Sequence, residues 1–281
     1  MIERKVIVPL AALLLMAAPP VLAQTAPAET KASADTGAMA DVAEAADESW
    51  IDRQIPGQVS GTVAFTTDYV FRGISNTDNN PAAQAGLEYS YDTGFYDITP
   101  YFGVWGSNVD FNDGDEATVE LDWSFGFRGT IPIADQEIGW NLGGIYYSYP
   151  GAGKVGGQSS NYDYWEIPVG LTYAPLDFLE FGLTNYYSPD FFGATGKANY
   201  INGKVTVTPP NPYVDFALFA GMGHQYIEHS KDYNDWTLGA TVTVKKIDFT
   251  FQYTDTNLTQ ADLGGNKLSD ARFVFTVGFA F

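Results

Sequence analysis

Residues 59–71 read Val59-Ser60-Gly61-Thr62-Val63-Ala64-Phe65-Thr66-Thr67-Asp68-Tyr69-Val70-Phe71. Val59, Gly61, Val63, Phe65, Thr67, Tyr69 and Phe71 share one parity, and Ser60, Thr62, Ala64, Thr66 and Asp68 share the other. Side chains of a strand alternate between its two faces, so the stretch predicts a strand with one bulky apolar face and one small polar face.

The same period recurs to the end of the chain. Ala117, Val119, Leu121, Trp123, Phe125 and Phe127 oppose Thr118, Glu120, Asp122, Ser124, Gly126 and Arg128. Trp165, Ile167, Val169, Leu171 and Tyr173 oppose Glu166, Pro168, Gly170 and Thr172. Twelve such segments are expected, over 58–71, 82–92, 95–105, 117–128, 137–147, 162–174, 177–187, 198–208, 213–223, 235–245, 247–255 and 270–281. They exceed the usual soluble strand of about 5–6 residues. They suit a tilted strand that crosses a bilayer in about 9–11. Short connections, such as Asp92-Thr93-Gly94 and Lys245-Lys246, alternate with long polar ones, such as 72–81, 148–161 and 256–269. That asymmetry belongs to outer-membrane barrels, with the short turns in the periplasm.

The polar faces carry Gly, Ala, Ser, Thr and scattered charges, while Phe, Trp and Leu fill the other face. Inside-out packing accounts for both, because lipid takes the bulky face and a wet interior takes the small one. The expected fold is all-β: a transmembrane antiparallel up-and-down β-barrel of about twelve strands over 58–281. A soluble lipocalin-like or sandwich fold is the alternative. Tyr69, Tyr91, Trp105, Trp140, Tyr146, Tyr147, Tyr187 and Trp236 fall near strand ends and are expected to form interfacial girdles. Phe273, Phe275, Val277, Phe279 and Phe281 share a parity in the last segment. They look like the aromatic C-terminal signal by which barrel-assembly machinery accepts an outer-membrane protein.

Composition narrows the function. The 281 residues contain 14 Lys and Arg against 34 Asp and Glu, for a net charge of −20, and no cysteine. Nucleic acid is an unsuitable partner for so acidic a chain. Thiol catalysis, Cys-ligated metal and disulfides are excluded. No apolar run reaches the roughly 18–20 residues of a membrane-spanning helix. Arg4 and Lys5 precede a mostly apolar stretch from Val6 to Ala18, and Val21-Leu22-Ala23 offers a small residue before a cut. Residues 1–23 are therefore read as a cleaved signal peptide, which exports the chain. Residues 24–57 are Ala-rich and acidic, and are expected to form a flexible periplasmic segment.

Asp68-Tyr69-Val70-Phe71-Arg72-Gly73-Ile74-Ser75, then Pro81, Gln84, Gly86 and Tyr89, then Gly103-Val104-Trp105-Gly106-Ser107-Asn108-Val109, resemble the TorF family of candidate porins from Gram-negative bacteria. The resemblance spans about residues 58–281. It implies an outer-membrane channel and names no solute.

Inward parity selects Asp68, Glu88, Glu120, Asp122, Arg128, Glu166, Glu180, Asp215 and Asp248 as pore-lining candidates. Such carboxylates would favour cations. Structural or solubilising roles are the other reading. Asp68, Arg72 and Arg272 are expected to meet as a charge cluster at the outer mouth, acting as an anion clamp or a fastener. The leading expectation is passive diffusion of small solutes. The alternative is a closed structural or adhesive barrel acting through its loops. Outer-membrane lipid and lipopolysaccharide are the expected surroundings, and no cofactor is expected. An acyl hydrolase built on His224, with outward parity, is a weaker expectation because no serine sits suitably beside it on its own strand. Asp110–Glu116 departs from a calcium-binding loop at its last position, Leu121. Gly151–Gly157 lacks the Gly-Lys-Ser/Thr ending of a phosphate loop.

Overall fold

A computed structural model describes residues 56–281, apart from residues 96, 113–116, 135, 156, 157 and 160. The expected signal peptide over 1–23 lies outside the described residues, as does the acidic segment apart from Pro56 and Gly57.

Twelve antiparallel strands close into one barrel in which each strand pairs with its neighbours in sequence. They are β1 (Gln58–Thr66), β2 (Ala82–Ser90), β3 (Thr99–Asn108), β4 (Val119–Ile133), β5 (Gln136–Ser148), β6 (Tyr164–Leu176), β7 (Leu179–Ser188), β8 (Ala198–Val207), β9 (Asp215–Ile227), β10 (Tyr233–Val244), β11 (Ile247–Thr256) and β12 (Arg272–Ala280). Closure pairs β12 with β1, through partners such as Phe65 with Val277 and Thr62 with Ala280. Phe281 and Gly61 extend that seam by exchanging backbone hydrogen bonds of 3.0 and 2.9 Å. Closure leaves the barrel sheet with no free edge strand among the described residues.

Alternation decides the two surfaces. Phe65, Leu87, Phe102, Phe125, Leu171, Phe251 and Phe273 face outward and are exposed, Phe65 at 65%. Their neighbours in sequence turn into the barrel, where Gln84, Ser107, Glu120, Ser124, Thr172, Thr184 and Thr250 are buried. The outer wall is thus apolar and the inner wall polar. The expected outward Phe273, Phe275 and Phe279 of β12 are exposed, as is Phe281.

Connections at one end are short, such as 177–178 and 245–246, while those at the other are mostly long, such as 67–81, 149–163 and 257–271. Two boundaries differ informatively from expectation. β9 runs on to Ile227 and β10 begins at Tyr233, so His224 lies within a strand rather than just past the expected end at 223. β1 stops at Thr66 instead of continuing to Phe71. Thr66 Oγ1 donates to the Asp68 backbone oxygen at 3.0 Å, and the chain turns inward there.

Candidate functional site

The inward turn after β1 begins with Asp68. Its Oδ1 accepts hydrogen bonds from Ser75 Oγ at 2.6 Å and Thr77 Oγ1 at 2.9 Å. Those bonds tie the two ends of a short hairpin, Val70–Phe71 paired with Ile74–Ser75. Its two-residue tip is Arg72-Gly73, with φ of 48° and 80°. A tip with both residues left-handed matches the twist of its strands. Glycine is required at 73 twice over, since a Cβ there would also lie 2.5 Å from Thr256 Cγ2.

The hairpin crosses the barrel to the far wall. Arg72 Nη1 and Nη2 donate to the two oxygens of Glu166 on β6 at 2.9 and 2.6 Å. Nη1 also donates to Gln225 Oε1 on β9 at 2.7 Å. The guanidinium lies 4.1 Å from the Tyr200 ring centre and 4.6 Å from that of Phe71. Arg72 and Glu166 side chains are 3% and 1% exposed. Burial opposes the arginine charge, and the Glu166 carboxylate outweighs it, so the Arg72 pKa rises well above its ordinary value.

Tyr69 anchors the other flank of the hairpin. Its ring meets Trp105 edge-on at 5.4 Å, and its hydroxyl donates to Glu120 Oε1 at 2.6 Å. Burial first, and Glu120 second, push the Tyr69 pKa well above its usual value, so the hydroxyl remains a donor. Above the hairpin, Phe111, Tyr149, Tyr162 and Phe192 from three loop regions pack together, Tyr162 and Phe192 stacked at 4.5 Å. These aromatics form a cap over the long-loop end.

Several expectations change here. Arg272 pairs with Asp68 at 2.7 Å, but Arg72 is bonded to Glu166 and Gln225, so the expected three-residue mouth cluster is two separate constellations. The cause is the inward hairpin, which carries Arg72 away from the rim. Tyr69, Trp105 and Tyr147 are buried inside the barrel and are not girdle residues. Glu120, Asp122 and Glu166 do face inward, but they are buried beneath the hairpin and its aromatic neighbours.

Lower in the barrel the remaining candidates are more open. Glu88 and Arg128 pair at 2.8 Å across β3. Glu180 faces inward on β7, one strand from Lys204, whose Nζ lies 5.1 Å from the Phe219 ring centre. Asp248 accepts a hydrogen bond from Thr243, and Asp215 is exposed at the end of β9. Tyr147, Tyr186 and Tyr200 line the wall that the hairpin meets, and only their inward parity is visible in the sequence.

The other chemical candidates carry little. His224 Nδ1 lies 2.9 Å from Asn234 Oδ1 on the adjacent strand, at an exposed position. Among the described residues no group of three or more His, Cys, Asp or Glu could hold a metal ion, and residues 113–116 of the acidic loop lie outside them. In the loop after β11, Lys231 and the Thr259 side chain and backbone hold the Asp262 carboxyl down at about 2.

The sequence profile of the family described as "Bacterial protein of unknown function (Gcw_chp)" matches residues 52–281. The chain belongs to this family. No curated protein sequence matches the chain. Among solved structures, this Gcw_chp barrel is similar to the KdgM porin, with 10% identity, 79% of this chain and 98% of that chain covered, and a TM-score of 0.45. It is similar to the NanC porin, with 14% identity, 80% and 99% coverage and a TM-score of 0.46. A third is the COG4313 outer membrane channel from Pseudomonas putida F1, with 10% identity, 80% and 95% coverage and a TM-score of 0.46. The Gcw_chp fold rests on its own strand pairing.

Proposed function

We propose that the protein is an outer-membrane channel through which small polar solutes diffuse, with the segment 67–81 folded inside as its constriction. One observation carries this reading: the barrel is closed, with exposed phenylalanines and leucines outside and ion pairs and hydroxyls within. Lipid satisfies such an outer wall, and closure satisfies the backbone in a bilayer. The long loops then face the cell exterior, where lipopolysaccharide surrounds them, and the short turns face the periplasm. The aromatic outer face of β12 would be presented to barrel-assembly machinery. Export through the signal peptide and the resemblance to TorF candidate porins agree with this. The inward acids outnumber the inward bases, so the passage is read as cation-preferring.

Purified protein in a planar bilayer is expected to give discrete conductance steps and a reversal potential biased toward cations. Silence in that measurement overturns the reading. A second reading, a closed barrel acting through its loops, is favoured by the burial of Arg72 and Glu166 and by the aromatic cap. It predicts no conductance, and loss of surface binding when 148–161 is shortened.

A further inference from the structure

On the inner wall of β1–β5 lies a small open pocket, lined mainly by two rows of paired residues. The upper row runs across β1–β5 as Thr62, Gly86, Trp105, Asp122 and Tyr147, each paired in register with the next. The lower row runs as Ser60, Glu88, Gly103, Ser124 and Ile145. Two glycines hollow the wall. A Cβ on Gly86 would lie 3.1 Å from both Thr62 Oγ1 and Trp105 Cδ1, and one on Gly103 would lie 2.8 Å from Ser124 Oγ. Side chains at either place would fill the space that the flanking hydroxyls face.

The polar groups of this pocket divide into satisfied and unsatisfied. Glu88 is paired with Arg128. Asp122 is 5% exposed, and its Oδ1 has no hydrogen-bond partner among the described residues. A buried carboxylate is costly to leave unpaired, and it accepts hydrogen bonds without donating when ionised. Hydroxyls at Ser60, Thr62 and Ser124 add both donors and acceptors around it. Trp105 supplies an indole wall, the best aromatic partner for a cation.

We propose that this pocket is a binding subsite for a small protonated amine, held by Asp122 and the hydroxyl rows with its carbon chain against Trp105. The ammonium group supplies in one place the positive charge that the wall lacks and an N–H donor for the unpaired Asp122 oxygen. A neutral polyol supplies hydrogen bonds without the charge, and a quaternary ammonium supplies the charge without donors. Neither meets both needs. The inference deepens the channel reading, since a subsite along the lumen would select what passes, but the pocket can be tested without any conductance.

The test is isothermal titration calorimetry on the full chain folded in detergent at neutral pH, with ethanolamine hydrochloride as the probe. Tetramethylammonium chloride and glycerol serve as comparators at equal ionic strength. Saturable binding of ethanolamine, at least tenfold tighter than either comparator, is expected. Asp122→Asn should weaken it at least tenfold, with folding checked by the heat-dependent gel shift of barrels. Thr62→Val, which keeps the side-chain shape, should weaken it about threefold and decides the matter if the first variant does not fold. No saturable heat, equal binding of glycerol, or unchanged affinity in a folded variant overturns the proposal. Conductance without saturable amine binding removes the subsite and leaves the channel. Saturable binding without conductance keeps the subsite and removes the channel.

Discussion

Arg72 Nη2 lies 2.6 Å from Glu166 Oε2, a contact between residues 94 positions apart that fastens a hairpin from one side of the barrel to the wall on the other. Burial makes this pair an all-or-nothing element. Attraction between the two charges offsets their desolvation only while both are present.

Removing one partner should therefore cost far more than removing both. Glu166→Gln leaves the Arg72 charge buried without its carboxylate, and a loss of about 3–5 kcal/mol is expected for such a change. Replacing both residues together, Arg72→Met with Glu166→Leu, should recover most of it. Urea unfolding of the parent, the single variants Arg72→Met and Glu166→Leu, and the double variant in lipid vesicles measures the coupling. A Glu166→Gln barrel as stable as the parent would mean that the pair contributes nothing.

Much of this architecture was legible in the alternation of residues, and the reason is geometric. A period of two assigns each side chain to a face, so Glu120, Asp122 and Glu166 were placed inside, and Phe273, Phe275 and Phe279 outside, without any tertiary information. Parity says nothing of where a strand stops or what an inserted loop touches. The apolar parity of 59–71 continues through Tyr69 and Phe71, yet the chain leaves the wall at Thr66. Tyr69 and Trp105 look like girdle residues by composition and position, but they pack on each other inside. One signal was available: in Val70-Phe71-Arg72-Gly73-Ile74-Ser75 a Val-Phe pair and an Ile-Ser pair flank a two-residue turn ending in glycine. The partner of Arg72 was not available, since it depends on which inward residue across the lumen lies at the height of the hairpin tip.

The lipid-facing assignment makes a sharper demand at mid-strand. Leu171 is near the middle of β6 and 47% exposed on the outer wall, with Gly170 facing inward beside it. Leu171→Arg should destabilise the protein by about 2–4 kcal/mol in vesicles, the cost of a charge at the bilayer midplane. The same change at Leu176, at the end of the strand, should cost at most about 1 kcal/mol. Equal effects at the two sites would contradict a bilayer around this wall.

Acid should act on the outer loops in a definite window. The folded Asp262 pKa of about 2 lies below its ordinary value, so its carboxylate is favoured by folding. The contribution is therefore complete above the unfolded pKa of about 3.9 and is lost as pH falls through the folded value. Carbon NMR of the Asp262 carboxyl should titrate near pH 2, and Lys231→Met should move the midpoint upward. A midpoint at the ordinary aspartate value would show that the 2.7 Å contact with Lys231 does not persist in solution.

The hairpin is the element whose removal separates a constricted channel from a sealed barrel. Arg72 holds its tip, Tyr69 its flank and Asp68 its base, through bonds to Glu166, Glu120 and Ser75. Replacing Val70–Ser75 by a short Gly-Ser linker removes the tip but keeps β1 and β2, whose register is set from Gln58 to Thr66 by nine cross-strand partners. If the hairpin constricts an otherwise continuous lumen, the trimmed protein should conduct several-fold more than the parent. Its cation preference should persist, because Glu88 and Glu180 remain on the wall. Trimmed and parent proteins conducting equally would place the constriction elsewhere. If both stayed silent, the channel reading would fall and the closed barrel acting through its loops would stand, with the aromatic cap of Phe111, Tyr149, Tyr162 and Phe192 as its seal.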